Sequence, residues 1–137
     1  MAITFQKQDI DFKIRAISKK SLWVKKIIEL EGKTTGQINF VFMDDASLLK
    51  KNIQFMEHTT FTDIITFDYC EKLKVSGDIL ISIERVEENA EKFGVEFETE
   101  LLRVMIHGIL HLCGYGDKSK AARDLMRKKE DLALKRY

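Results

Sequence analysis

The stretch RVMIHGILHLCGYGDK, residues 103–118, includes the end of the segment that determines the fold, which runs from residue 97 to about residue 113. Written as a helix, this segment places apolar residues on nearly every side. A helix at a protein surface carries one apolar stripe, whereas a helix that is apolar all round is buried. The segment therefore predicts a central helix that the other elements of the chain cover.

The remaining segments predict a sheet that packs with this helix. Residues 37–43 place Ile38, Phe40 and Phe42 at every second position, which is typical of a half-buried strand. Similar patterns predict strands at 3–5, 62–69 and 75–83, and helices at 18–31, after 44, at 83–93 and after 117. With 137 residues and 45% hydrophobic content, the chain has material for one core. We expect an α+β fold: one domain over residues 1–137, with a mixed sheet of about four strands and about five helices.

The last predicted helix combines apolar and basic residues. Asp117 or Ser119 would open it, and its apolar residues predict an inward face. Those apolar residues are Leu125, Met126, Leu132 and Leu134. Residues 118–137 also contain eight Lys and Arg against three Asp and Glu, which suits either a phosphate-facing surface or a solvated helix face.

The composition indicates a cytoplasmic protein. Two cysteines are too few for a disulfide framework, and the first 13 residues lack the apolar region of a signal peptide. Charges interrupt every apolar stretch before the roughly 20 residues that a membrane span needs. Because 23 basic residues nearly balance 22 acidic ones, the overall charge argues neither for nor against nucleic acid.

Two histidines four residues apart on the central helix predict a metal site at its end. His107 and His111 would lie one above the other on one helix face, so both imidazoles can point at one ion. Gly114 permits the left-handed turn that reverses the chain, and Asp117 can then swing back toward the histidines. The alternative is a pair of hydrogen-bonded core histidines, but burying two unpaired imidazoles is costly.

The residue between the histidines bears on the chemistry. Gly108 occupies the position at which an H-E-x-x-H metallopeptidase carries its general base, which disfavours peptide hydrolysis. A water in the fourth position of the ion would still be a nucleophile, because a bound metal lowers the pKa of water toward neutrality. The general base stays unassigned.

Three further residues have two interpretations each. Asp63 and Asp78 lie at the ends of predicted strands, where a carboxylate serves either in function or in a turn hydrogen bond. Tyr115 lies in the turn after the central helix. It would either stack on a nucleobase or pack on the sheet.

At this point the sequence resembles the YbeY family of bacterial endoribonucleases. The segment HGILHLCGYGD, residues 107–117, is similar to the family signature H-G-x-L-H-L-x-G-Y-D-H. TDIITF at 62–67 and GDILIS at 77–82 resemble two further family segments, and Met126 and Glu130 match its M-x-x-x-E. The resemblance covers residues from about 37 to 131, which is most of the chain.

The resemblance implies a metal-dependent hydrolase, usually assigned one zinc ion, that cleaves single-stranded RNA. It further implies a protein that acts in maturation of the 3′ end of small-subunit ribosomal RNA and in ribosome quality control. RNA, ribosomal RNA or the small ribosomal subunit would be the partner, without DNA or membrane. The alternative is a non-catalytic ribosome-associated factor, in which the metal only holds the last two helices together.

This sequence departs from the family pattern in two places. The first two family ligands fall on His107 and His111, but the third family histidine falls on Asp117. Two histidines and a carboxylate suit zinc, and they suit Fe(II) or Mn(II) as well. The second departure is Met56, which stands where the family carries an arginine. An arginine there would contact phosphate, and the nearest substitutes by sequence are Arg103, Lys118 and Arg123.

Overall fold

The computed structural model describes residues 2–56 and 62–137, and for Met56 only the main chain. Four strands and five helices follow one another in the order that the sequence predicts. The strands are β1 Ile3–Lys7, β2 Thr34–Met43, β3 Ile64–Asp68 and β4 Lys74–Ser82. The helices are α1 Ile17–Leu30, α2 Asp45–Met56, α3 Ile83–Phe93, α4 Phe97–Leu112 and α5 Lys120–Lys135.

The four strands form one mixed sheet in the order β1-β2-β4-β3. β1 and β4 each pair with β2 in parallel, and β3 pairs with β4 antiparallel. The predicted α+β class, with a mixed four-stranded sheet and five helices, is confirmed. No helix in the described parts of the chain is long and apolar enough to cross a membrane.

Alternation along β2 divides the apolar residues between the two faces of the sheet. Ile38, Phe40 and Phe42 are buried in the main core, which also receives residues from α1, α3, α4 and α5. Val41 points to the other face and packs against a smaller cluster that includes Leu48 of α2. Helix α2 therefore covers one face, and the four other helices contribute to the core on the opposite face.

Helix α4 is the buried central helix that its composition predicts. Its side chains at Leu101, Met105, Ile106 and Ile109 are at most 1% exposed. Burying one such side chain stabilises a fold by roughly 2–3 kcal/mol in transfer free energy, before the entropy of ordering it is subtracted. Gly108 allows α4 to approach the sheet closely, since a Cβ there would lie 2.9 Å from Cδ1 of Ile64. Both features fix α4 against β3 and β4.

Two helices differ from the prediction, α1 in where it starts and α5 in which residues it buries. Helix α1 begins at Ile17, after Ala16, whose φ is 49° and which offers no side-chain hydrogen bond, so the helix starts before residue 18, where the sequence predicts it. In α5 the predicted inward residues Leu125 and Leu132 are 46% and 47% exposed. The buried positions are Met126, Glu130 and Ala133. Spacings of four and three residues keep these positions on one helix face. The charged residue Glu130 therefore lies on the buried face of α5, where the sequence predicts leucines.

Candidate metal centre

The turn after α4 brings a carboxylate back toward the two histidines. Gly114 has a φ of 109°, in the left-handed region that glycine adopts without strain. Its N–H donates to the carbonyl of His111 at 3.0 Å, and the N–H of Tyr115 donates to the carbonyl of Leu110 at 3.0 Å. This pair of bonds is the Schellman motif that ends many helices. The chain therefore reverses at Gly114, and Asp117 comes to lie beside the last turn of α4.

Three side chains converge at this turn. Oδ2 of Asp117 lies 3.2 Å from Nε2 of His111 and 3.8 Å from Nε2 of His107. One potential ligand atom from each of the three residues lies within 4.8 Å of the other two. The side chains are 24%, 29% and 41% exposed for His107, His111 and Asp117, so the cluster is open on one side. The structure thus brings together the three residues that the spacing predicts as ligands.

These distances fit a small divalent ion. An ion with tetrahedral ligands about 2.1 Å away holds those ligands ~3.4 Å from one another. The measured 3.2 and 3.8 Å separations fall on either side of that value. Two imidazole nitrogens and one carboxylate oxygen are also a donor set that catalytic metal sites use, with further positions left for water or substrate. The residues present therefore fit a metal ion with an open coordination position.

A buried carboxylate from α5 holds the first histidine in place. Oε2 of Glu130 lies 2.7 Å from Nδ1 of His107, and Glu130 is only 5% exposed. Arg103 donates to the other oxygen of Glu130 at 2.9 Å and to Asp131 at 2.7 Å. An ionised carboxylate only accepts hydrogen bonds, so Nδ1 of His107 must carry the proton. Nε2 of a neutral His107 then keeps its lone pair for a metal ion.

Protonation in this group follows from the same contacts. Burial disfavours the charged form of His107, but the hydrogen bond and the charge of Glu130 outweigh it, so the pKa of His107 is raised. Burial acts on Glu130 in the opposite direction, and its bonds to His107 and Arg103 outweigh burial and lower its pKa. Glu130 is therefore an anion at neutral pH, as its role as acceptor requires.

A cavity of about 350 Å³ opens beside the cluster. It is lined by two of the potential ligands, His107 and Asp117, and by three arginines, Arg103, Arg123 and Arg127. A concave space next to an open coordination position is where a substrate would bind. Four carboxylates line it as well, those of Asp63, Glu100, Asp117 and Glu130, so the arginines supply the positive charge in a lining of mixed sign.

Comparison with known proteins places this geometry in a family. A family model described as endoribonuclease YbeY matches residues 2–137. This chain belongs to the endoribonuclease YbeY family. The resemblance that the sequence carries is therefore confirmed, together with the enzyme class of the family, which is a nuclease and hence a hydrolase of phosphodiester bonds.

Individual YbeY relatives agree over nearly the whole chain. An endoribonuclease YbeY from Flavobacterium psychrophilum is 54% identical over 129 residues, which cover 94% of this chain and 92% of the relative. One from Parabacteroides distasonis is 46% identical over 136 residues, covering 98% of this chain and 94% of the relative. The solution structure of TM1509 from Thermotoga maritima superposes with a TM-score of 0.66 at 28% identity, covering 98% of this chain and 91% of that one.

The predicted phosphate contacts of this YbeY chain occupy different places. Arg123 lines the cavity and is exposed, whereas Arg103 is bound to two carboxylates. Lys118 is exposed and is not among the described residues that line the cavity. Arg127 does line it, and sequence reasoning misses this residue. Its spacing of four from Arg123 on a helix was the available signal. The side chain of Met56 lies outside the described residues.

The other three candidates from the sequence lie in different environments. Asp63 lines the cavity, and burial raises the pKa of its carboxyl group. Asp78 accepts a hydrogen bond from Asn39 at 2.8 Å and lies outside the lining of this cavity. Tyr115 donates its hydroxyl to Glu31 at 2.6 Å. Tyr115 is thus held on the protein, partly buried against the main core and bonded to the residue that follows α1.

The position between the two histidines faces the sheet. A Cβ on Gly108 would lie 2.9 Å from Ile64 and 3.1 Å from Ile79. A glutamate at 108 would therefore point into the apolar core and away from the cavity. The lack of a metallopeptidase base at this position thus has a structural reason, which is the close packing of α4 on β3 and β4.

Proposed function

We propose that this chain, acting as one domain over residues 1–137, is a metal-dependent endoribonuclease that cleaves single-stranded RNA. In this proposal His107, His111 and Asp117 hold one divalent ion. The convergence of three potential ligand atoms within 4.8 Å, beside a cavity lined by arginines, carries the proposal. Membership of the endoribonuclease YbeY family supplies the substrate class.

Each residue of the centre has a defined task in this proposal. His107 and His111 present Nε2 atoms from one face of α4, and Asp117 closes the triad from the turn. Glu130 keeps the proton on Nδ1 of His107, so the Nε2 lone pair faces the ion. The ion would lower the pKa of a coordinated water and polarise the phosphate oxygens of the substrate. The residue that removes a proton from the attacking water stays unassigned.

We propose zinc as the resident ion, with Fe(II) and Mn(II) as alternatives. Imidazole nitrogen and carboxylate oxygen are acceptable to all three metals, so the donor set alone does not select one. The short ligand separations and the small number of protein ligands favour zinc. Metal analysis of protein purified under anaerobic conditions distinguishes the three ions, because Fe(II) is lost to oxidation during aerobic purification.

We further propose that the RNA is ribosomal and that the protein works in the cytoplasm. The substrate would be the 3′ end of small-subunit ribosomal RNA, on its own or in the small ribosomal subunit, with no role for DNA or membranes. The resemblance in the histidine signature supports this assignment, together with the exposed basic residues of α5. Analysis of ribosomal RNA ends in cells that lack the protein tests it.

The metal site itself is tested by two variants and one control. His111→Ala and Asp117→Asn each remove one ligand, so both should lose most of the bound metal and most RNA cleavage. Asp124→Asn is the matched control, because Asp124 is an exposed carboxylate of α5 whose hydrogen bond is to Lys120. Metal content by mass spectrometry and cleavage of a labelled single-stranded RNA are the two measurements.

The proposal predicts that metal content and cleavage change together. Metal content and cleavage should fall together in His111→Ala and Asp117→Asn, and both should stay at the wild-type level in Asp124→Asn. Full metal content with full cleavage in either ligand variant would refute the assigned site. Loss of metal without loss of cleavage would refute a metal-dependent reaction.

A further inference from the structure

The cavity beside the metal centre contains cations in two different electrostatic states. Arg103 is held between Glu130 and Asp131, at 2.9 and 2.7 Å, and its side chain is 17% exposed. Two carboxylates already neutralise its charge, and its N–H groups are directed at them. Arg103 therefore serves to hold Glu130, and it has little capacity left for a substrate phosphate.

The two arginines of α5 are in the opposite state. Arg123 and Arg127 are both exposed and both line the cavity. Arg123 makes a long hydrogen bond of 3.4 Å to the main-chain carbonyl of Asp117. Within the described residues Arg127 makes no hydrogen bond and no ion pair, although its charge lies close enough to Glu100 to oppose in part the rise that burial causes in the pKa of that residue. Their guanidinium groups therefore keep most of their donors available.

The two arginines lie one helix turn apart, so they can contact successive charges of a polymeric anion. Residues four apart lie on the same helix face, about 5–6 Å from each other between Cβ atoms. Arg123 is bonded to a residue of the proposed metal centre, since its Nη1 reaches the main-chain carbonyl of Asp117. Arg127 lies one turn further along α5, at the same cavity. The pair therefore forms a row of two guanidinium groups along the wall of the cavity.

We propose that Arg123 and Arg127 are the substrate-binding residues of this nuclease, with Arg123 on the scissile phosphate and Arg127 on the adjoining phosphate of the same RNA strand. The inference rests on the proposed nuclease function and deepens it by assigning the phosphate contacts. Guanidinium groups bind phosphate through paired N–H donors, which positions a strand without reading its sequence. The same row sets the direction in which the RNA crosses the cavity, along α5.

Steady-state kinetics of single variants test the two assignments separately. Arg127→Gln should raise KM about tenfold, the effect of one charge-assisted contact, and change kcat less than about twofold. Arg123→Gln should lower kcat as well, because its partner phosphate gains charge in the transition state. Both residues are exposed, so neither substitution should unfold the protein. Metal content is measured for each variant and should equal that of the wild type.

Salt dependence separates a phosphate contact from a local structural role. For single-stranded RNA, each lost phosphate contact should reduce the slope of log kcat/KM against log salt concentration by about 0.7. Arg127→Lys keeps the charge and should keep the wild-type slope. The matched control is Arg136→Gln, which removes the same group from the exposed C-terminal end of α5. Its slope and KM should stay at the wild-type values.

A binding measurement keeps this inference separable from the proposed function. Anisotropy of a short fluorescent single-stranded RNA, read directly after mixing in the cold, reports binding without turnover. If the wild type binds but does not cleave, and Arg127→Gln weakens binding, the phosphate contacts stand and the nuclease proposal fails. If the wild type cleaves and Arg123→Gln and Arg127→Gln behave like Arg136→Gln, this inference is overturned and the nuclease proposal stands. A wild type that neither binds nor cleaves RNA overturns both.

Discussion

Replacing Glu130 by glutamine tests how His107, the first proposed metal ligand, is positioned. Glutamine has the shape of glutamate but only one accepting oxygen, while its amide nitrogen donates. In the structure both oxygens of Glu130 accept, one from His107 at 2.7 Å and one from Arg103 at 2.9 Å. Glu130→Gln must therefore lose one of these two bonds and place an N–H group against another donor.

The expected effects follow from the strength of such bonds and from burial. A hydrogen bond to a charged group contributes about 1.5–3 kcal/mol, and Arg103 keeps its second partner, Asp131, so we expect a loss of roughly 2 kcal/mol in the free energy of unfolding. The Nδ1 proton of His107 is no longer fixed, and the other tautomer puts a proton where the ion should bind. Loss of such a supporting group weakens metal binding about 10–100-fold.

The assay pairs denaturant unfolding of the chelated protein with a competition titration against a chromogenic chelator. Asp131→Asn is the matched control: it removes a carboxylate that also binds Arg103, but Asp131 is 52% exposed. Such a pair is worth at most about 1 kcal/mol, and metal affinity should stay near the wild-type value. The reasoning is refuted if Glu130→Gln binds metal as tightly as Asp131→Asn does. A loss of stability with unchanged metal affinity would show that Glu130 stabilises the fold but does not position His107 for metal binding.

Three further predictions follow from the fold. Chelating the metal should abolish RNA cleavage but cost the folded state no more than about 3 kcal/mol, because the triad lies outside the apolar core; circular dichroism would instead show unfolding if the metal were structural. Burial, aided by the charge of Asp63, raises the pKa of Glu100 in the folded protein. Protonation of Glu100 therefore stabilises the fold; this stabilisation is fully present in acid and is lost as the pH rises through the folded-state pKa. Glu100→Gln should therefore stabilise the protein at neutral pH and have little effect in acid, as denaturant unfolding across pH will check. Gly108→Glu should yield no peptidase and should lower the melting temperature strongly, because its carboxylate would be buried against Ile64 and Ile79.

The fold was predictable where one physical pattern dominates a segment. The period of two in β2 and the apolar surface of α4 both result from burial, and the structure confirms the sheet, the central helix and the element order. The cap of α1 was not predictable in this way. Ala16 holds a left-handed φ of 49° and makes no side-chain hydrogen bond, so no capping side chain in the sequence marks that start.

The site was predictable only in the part that depends on local spacing. His107, His111 and Asp117 lie within eleven residues of sequence, so helix geometry and one turn bring them together. The supporting Glu130 comes from another helix, α5, and lies on its buried face, where apolar patterning predicts apolar residues. A charged residue is buried there only because His107 and Arg103 pair with it, and such pairing is a tertiary contact that no local pattern contains.

The carboxylate at position 117 and the free arginines of α5 belong to one electrostatic arrangement. A divalent ion held by neutral imidazoles keeps a charge of about +2, whereas one carboxylate ligand reduces it to about +1. Such an ion attracts a phosphate less strongly, so other cations must supply more of the binding energy and of the stabilisation of developing charge. Arg103 cannot, because Glu130 and Asp131 bind it. In the proposed site Arg123 and Arg127 would supply this charge, because they line the same cavity with most of their donors available.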